Sequence, residues 1–322
     1  MKQLPLRIAI PGGTGQIGRL LVRHFHSLGD DVTVIARNAT PELPCRVLTW
    51  DGRTLGPWAD AIDGAHVVIN LAGRSVNCRY TATNRRIIKE SRTETTRLIG
   101  QAIAAATRPP ALWMNSSTAT IYRHSLDRAM DEATGQLGGG ERDVPDAWRF
   151  SIDVAKSWEE VFFGSTTPVT RKVALRTAIV MNPDRDGTLG ILLGLVRRGL
   201  GGASGSGKQF VSWIHDEDFV RAIDFLIEHG ELEGIVNIAA PTPLPNRDFM
   251  RSLCQSWGAR IALPASTWML ELGAAFMRTE TELVLKSRRV IPTRLLDAGF
   301  EFLYPTWPEA AADLVRRWRL AG

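Results

Sequence analysis

Short apolar runs separated by helical patterns organise this chain. Runs at 7–10, 31–36, 46–49, 66–71, 111–115 and 173–181 read as strands. Between the first two, Ile17, Leu20, Leu21 and Phe25 recur at helical spacing, and longer helices are predicted over 84–106 and 150–163. Strands alternating with helices require crossovers between parallel neighbours, so the expected fold class is α/β, a doubly wound parallel sheet with helices on both faces. The stretch 131–145, rich in Gly and charge and without periodicity, is expected to be an exposed loop beside the site. After 182–190 the pattern becomes mixed. A sheet domain over 1–182, continuing in part into 210–240, and a smaller lobe over 183–322 are expected. That lobe carries a glycine-rich turn at 199–208, an aromatic strand at 210–215, a strand at 236–239, and helices at 218–229, 246–257, 265–277 and 307–318.

The most informative local feature is PGGTGQIG at 11–18, between the first strand and the first helix. Gly12 permits a tight turn, Gly15 lets backbone approach a pyrophosphate, and Gly18 lets the helix pack closely on the sheet. With Gly13, Thr14, Gln16 and Ile17 they form a phosphate-cradling turn at a helix N-terminus. A dinucleotide site that prefers NAD usually places an acid at the end of the second strand; here that end reads Ala36, Arg37, Asn38. Asp30 and Asp31 stand at the strand's other end. NADP is therefore favoured over NAD, with Arg37 on the extra phosphate, against the plain alternative of a solvated surface arginine. Asp51, after the third strand, could accept from the adenine amino group or simply form a turn. The small residues of NLAG at 70–73 make Leu71, Ala72 and Gly73 further cofactor contacts.

Size and composition narrow the function. With 322 residues and 44% hydrophobic content the chain can bury a large core. The stretch before the glycine turn is too short and too interrupted for an export signal, and the apolar runs at 189–196 and 268–277 fall far below the ~20 residues that span a bilayer. No membrane association is expected. Cys45, Cys78 and Cys254 are scattered, which fits reduced thiols in a cytoplasmic setting and offers no metal site. The net charge of +5 is spread and interleaved with acids, so nucleic acid is not an expected partner. GSGK at 205–208 lacks the complete phosphate-loop spacing because Gln209 follows Lys208, which argues against an ATPase.

Together with SSTATIY at 116–122, the glycine turn resembles the extended short-chain dehydrogenase/reductase superfamily. NLAGR at 70–74, SRTETTR at 91–97, SWEE at 157–160, GSGKQFVSWIHDEDF at 205–219 and RRVIPTRLLDAGFEF at 288–302 are similar to its atypical YfcH-type "epimerase family" branch. The resemblance covers essentially the whole chain. It implies a Rossmann domain, a small substrate lobe and a C-terminal segment of unknown function.

The resemblance also implies a catalytic Tyr and Lys spaced YxxxK, the Lys lowering the phenol pKa and holding the nicotinamide ribose. Lys156 aligns with that Lys, and Ile152 then stands where the Tyr belongs. Thr118 matches the partner hydroxyl, with Ser116 beside the cofactor. Arg92 and Thr96 fall on the family's Asn and Thr positions, giving Arg92 either a phosphate contact or a surface pairing with Glu94 or its neighbours. Lys156 either holds ribose or is solvated, and Tyr122 either reaches the nicotinamide or packs in the core. His215 with Asp218 could form a catalytic pair, the blander reading being a strand end and a helix N-cap. The expected function is an NADP-dependent oxidoreductase or epimerase-like enzyme acting on a small carbonyl or nucleotide-sugar-like substrate. The alternative is a non-catalytic NADP(H)-sensing protein. Substrate, oligomeric state and protein partner stay open.

Overall fold

The computed structural model describes residues 4–40, 42–264 and 282–320. Seven parallel strands form one sheet in the order β10-β6-β5-β4-β1-β2-β3. They are β1 (Arg7–Pro11), β2 (Asp31–Ala36), β3 (Arg46–Thr49), β4 (Val67–Asn70), β5 (Leu112–Thr118), β6 (Arg171–Thr177) and β10 (Gly234–Ile238). The chain runs outward from β1 to β3 and then crosses back to β4, so the strand order reverses between β1 and β4. Loops diverge at such a reversal and leave a crevice at the carboxyl ends of the strands.

Helices α1 (Gln16–Leu28) and α5 (Asp216–Glu228) cover one face, burying Leu21, Phe25, Phe219 and Ile223 against Ile8, Ile10 and Val34. Helices α2 (Ala82–Ala105) and α3 (Asp146–Gly164) cover the other, burying Ile99, Ile103 and Phe162 against Ala9, Val68 and Trp113. The strands are apolar on both faces because both are covered. A further cluster joins α4 (Thr188–Arg197), α6 (Asn246–Trp257) and α9 (Trp307–Leu320) around Trp213 and Trp307, whose rings meet edge to face at 4.9 Å. Between α6 and α9 lie two short helices, α7 (Glu282–Leu285) and α8 (Thr293–Asp297).

Three expectations are corrected. The run 173–181 is two strands: Ala178 donates to the Ile238 carbonyl, after which β7 (Ile179–Met181) leaves the sheet to pair with β9 (Trp213–His215). The run 210–215 likewise divides, β8 (Phe210–Val211) pairing antiparallel with β11 (Leu244–Pro245). Asp218 is not the N-cap of α5. His215 caps it, its Nδ1 accepting from the Glu217 amide at 3.1 Å, while the buried Asp218 accepts from the amides of Leu303 and Tyr304. The helix expected over 265–277 lies outside the described residues.

Candidate functional site: a cleft at the strand-order reversal

The glycine turn is shaped by how closely its backbone approaches β4. Gly12 has φ +81°, and a Cβ there would stand 2.6 Å from the Ala72 amide nitrogen. At Gly18 a Cβ would fall 2.4 Å from the backbone of Gly13, so the first turn of α1 lies directly on the loop that precedes it. The Gly12 amide donates to the Ile35 carbonyl and the Leu71 amide to the Pro11 carbonyl, each at 2.8 Å, fixing the turn between β2 and β4. Asn70 then bends the chain after β4. Its Oδ1 accepts from the Ala72 amide at 3.0 Å, and its Nδ2 donates to Asn115 at 2.7 Å and to Thr96 at 3.1 Å.

The resulting cleft of about 560 Å³ is lined by Gly12, Thr14, Gly15, Ala36, Arg37, Asp51, Leu71, Ala72 and Gly73 of the sequence-derived set. Ile17 and Gly18 lie beneath the turn, Asn38 is exposed beyond Arg37, and Gln16 donates to Asn182 at 2.7 Å. Sequence reasoning missed Trp50, Arg53 and Arg74 as lining residues. Arg74 stood within the NLAGR motif, and Trp50 and Arg53 flank Asp51 closely, so proximity to a chosen residue was the available signal. Asp51 forms a turn, accepting from the amides of Arg53 at 2.8 Å and Thr54 at 2.9 Å, bonds that hold its carboxyl down at about 2.

Arg92 lies against Gly73, beside the cleft rather than on the outer face of α2. Its Nη1 donates to the Ile88 carbonyl and its guanidinium covers the Trp158 ring at 5.2 Å. Burial lowers its pKa to about 10, and among the described residues it forms no ion pair. Glu94 pairs with Arg97 instead.

At the end of β5 the sequence-derived hydroxyls serve different tasks. Thr118 accepts from the Thr120 amide at 3.2 Å, which turns the chain out of the strand. Ser116 is half-buried one position from the buried Ser117, which donates to Glu159 at 2.6 Å. Lys156 donates to the Gly138 carbonyl at 2.7 Å and thereby ties α3 to the loop at 131–145, which is largely exposed except at Gly138. Ile152 is fully buried beneath Gly138 and Gly139. Tyr122 is only 1% exposed, its hydroxyl donating to Asn237 at 2.9 Å and its ring lying under the Arg176 guanidinium. It is therefore a core residue and does not open on the cleft. His215 is also fully buried, between Asp216 and Asp313, and its ring stacks on Tyr304. It belongs to the α5–α9 contact.

A second cluster comes from the residues just after the undescribed stretch. Lys286 is buried and donates to the Thr120 carbonyl at 2.6 Å, 3.8 Å from Glu282. Burial, reinforced by Arg288, pushes its ammonium pKa down to about 7. Arg288 donates to the Thr120 hydroxyl at 3.1 Å, and the Ser287 amide to His124. These residues brace the turn that follows Thr118.

No helix among the described residues is long and apolar enough to cross a membrane. Residues 8–138 match the NAD dependent epimerase/dehydratase family, and residues 265–314 match a domain of unknown function (DUF1731). The human epimerase family protein SDR39U1 is 30% identical over 315 residues, covering 96% of this chain and 100% of the relative. Epimerase family protein SERP0438 of Staphylococcus epidermidis is 28% identical over 312 residues, covering 96% and 99%. The crystal structure of human SDR39U1 with NADPH superposes with a TM-score of 0.82 at 29% identity, covering 97% of this chain and 99% of that one. A nucleoside-diphosphate sugar epimerase from Corynebacterium glutamicum gives 0.75 at 25% identity, over 97% of this chain and 58% of that one. The seven-stranded Rossmann sheet, the glycine turn and a likeness that runs the length of the chain converge: this chain belongs to the NAD-dependent epimerase/dehydratase family.

Proposed function

We propose that this protein binds NADP(H) in the cleft at the strand-order reversal and acts as an oxidoreductase or epimerase-like enzyme on a small carbonyl or nucleotide-sugar-like substrate. The observation that carries the cofactor assignment is the end of β2, where Arg37 is exposed and lines the cleft and the sequence Ala36, Arg37, Asn38 offers no carboxylate. The residues fit such a ligand. Gly12 and Gly15 offer an open backbone at the start of α1, and Arg37 with Arg53 supplies positive charge where a ribose phosphate would lie. The NADPH in the human relative's crystal structure supports the same reading.

The bound nicotinamide would supply hydride transfer. Around it, Thr118 would polarise a substrate oxygen, Arg92 would meet anionic charge beside Gly73, and Lys156 would reach the ribose by sharing its hydrogen bond with Gly138. The lobe built on α4, α6 and α9 would close the substrate side. The buried Ile152 gives weight to a second reading, a non-catalytic NADP(H)-sensing protein, because an alkyl side chain transfers no proton.

Titration of NADPH and NADH by nicotinamide fluorescence tests the cofactor assignment. NADPH is expected to bind at least tenfold tighter, about 1.4 kcal/mol, and Arg37→Ala to erase the difference. Equal affinities in the unsubstituted protein would overturn it. Binding without reduction of any carbonyl compound would leave the sensing reading in place.

A further inference from the structure

The chain contains three tyrosines, and their surroundings differ sharply. Tyr122 spends its hydroxyl on Asn237 in the core, and Tyr304 stacks on His215 at the α5–α9 contact. Tyr80 lies on the segment that leaves β4, just after Leu71–Arg74 have lined the cleft. Its phenolic oxygen is 3.3 Å from the hydroxyl of Ser151, the residue immediately before Ile152 on α3; the single Ser151 proton goes to the Glu282 carboxylate, so the phenol is the donor of this contact. We propose that Tyr80 is the proton donor of this site, delivering from the β4–α2 segment the phenol that α3 lacks at position 152.

The proposal rests on the oxidoreductase reading given above and adds to it the group that moves the proton. Tyr80 is held in place rather than left on a loose loop. Arg85 donates from Nε to its carbonyl at 2.9 Å and pairs with Asp146 at the start of α3, and the Tyr80 ring meets Phe150 edge to face at 4.9 Å. Two guanidiniums, Arg92 from α2 and Arg288 from the C-terminal segment, interact electrostatically with the phenol. Arg288 is itself 3.7 Å from Glu282, whose carboxylate takes the Ser151 proton, so charges of both signs surround the contact between Ser151 and the phenol. Arg288 also donates to Thr120, two residues beyond Thr118, so Ser151, which contacts the phenol, is linked to the turn after β5 through the Glu282–Arg288 pair.

In the reducing direction the substrate carbonyl carbon gains the hydride of NADPH and forms the new C–H bond. The π pair of the carbonyl moves onto oxygen, which takes the Tyr80 proton. Solvent at the half-buried ring then reprotonates the phenolate, so carbonyl, NADPH and one proton become alcohol and NADP⁺.

The test labels the three tyrosines as 3-fluorotyrosine and follows the fluorine resonances of the full chain, Tyr80→Phe assigning one line. Saturating NADPH is expected to move the Tyr80 line and leave the Tyr304 line in place. A Tyr80 line that stays put while fluorescence shows NADPH bound would overturn the proposal, whereas absence of NADPH binding would overturn the cofactor assignment beneath it. In parallel, reduction of 9,10-phenanthrenequinone is measured. Tyr80→Phe is expected to lose about 100-fold in kcat with NADPH affinity and circular dichroism unchanged. Ser151→Ala should lose less, and Tyr304→Phe nothing. An undiminished rate in Tyr80→Phe refutes the role of Tyr80 alone. No reduction by the unsubstituted protein refutes the oxidoreductase reading.

Discussion

The Arg176 guanidinium on β6 grips the Glu159 carboxylate on α3 through two hydrogen bonds, at 2.9 and 2.7 Å, with both side chains withdrawn from water. The same carboxylate receives the Ser117 hydroxyl of β5. Two strands and the helix that crosses them are thus locked at the level of the candidate site. Removing one member leaves a buried charge without its counter-charge, which costs far more than removing both. Arg176→Met is expected to lower unfolding stability by about 3–5 kcal/mol, and the pair Arg176→Met with Glu159→Leu to recover most of it. Urea midpoints of the three proteins decide this.

Tyr122→Phe should affect stability and not cofactor binding. Losing the hydroxyl leaves Asn237 Oδ1 without its buried donor, at a cost of about 1–3 kcal/mol. NADPH affinity is expected to stay within twofold. A large loss of affinity with unchanged stability would place Tyr122 at the cleft after all.

Lys286 makes stability depend on alkaline pH. Its folded pKa of about 7 lies below that of an unfolded lysine, so the unfolded chain holds more protons and stability rises with pH between the two values. The gain is fully present above the unfolded pKa and is lost as pH falls through about 7. From pH 7 to pH 9 the protein should gain about 2 kcal/mol relative to Lys286→Met, because the native amine sheds its proton while the unfolded one keeps it. Parallel denaturant curves at the two pH values give the difference directly; identical curves would mean that Lys286 titrates as an ordinary amine.

Two left-handed glycines separate backbone strain from steric exclusion. Gly12 at φ +81° has the Ala72 backbone 2.6 Å from where a Cβ would be, whereas Gly29 at φ +85° caps α1 with nothing within 4 Å. Gly29→Ala should cost about 1–2 kcal/mol of left-handed strain and leave NADPH binding intact. Gly12→Ala should cost more than that and abolish binding, because the added methyl would meet backbone atoms of Leu71 and Ala72 and no flexible side chain that could yield. Thermal midpoints and an NADPH titration check both.

The parts of this molecule that sequence made legible are those whose partners are near in the chain. The turn from Gly12 to Gly18, the exposed Arg37 at the end of β2 and the bounds of α6 follow from local spacing alone. What escaped were matters of distant partnership. Ala178 reads as mid-strand until Ile238 captures its amide, and Asp218 reads as a cap until Leu303 and Tyr304 arrive from 85 and 86 residues away. Tyr80 fell in the same gap. No pattern around it separates it from a solvent-facing aromatic, and its significance depends on Ser151 and Arg288, set beside it by two other parts of the chain.

The bracing of the β5 turn by Lys286, Ser287 and Arg288 also has a consequence for synthesis. A nascent chain that has emerged only as far as residue 264 already carries every strand of the seven-stranded sheet and every glycine of the phosphate turn. It still lacks the residues that hold the Thr120 carbonyl and the His124 ring in place. The glycine turn and the sheet can therefore assemble on the ribosome well before the turn after β5 is braced, and a protein cut short in its last sixty residues would retain the first while losing the second.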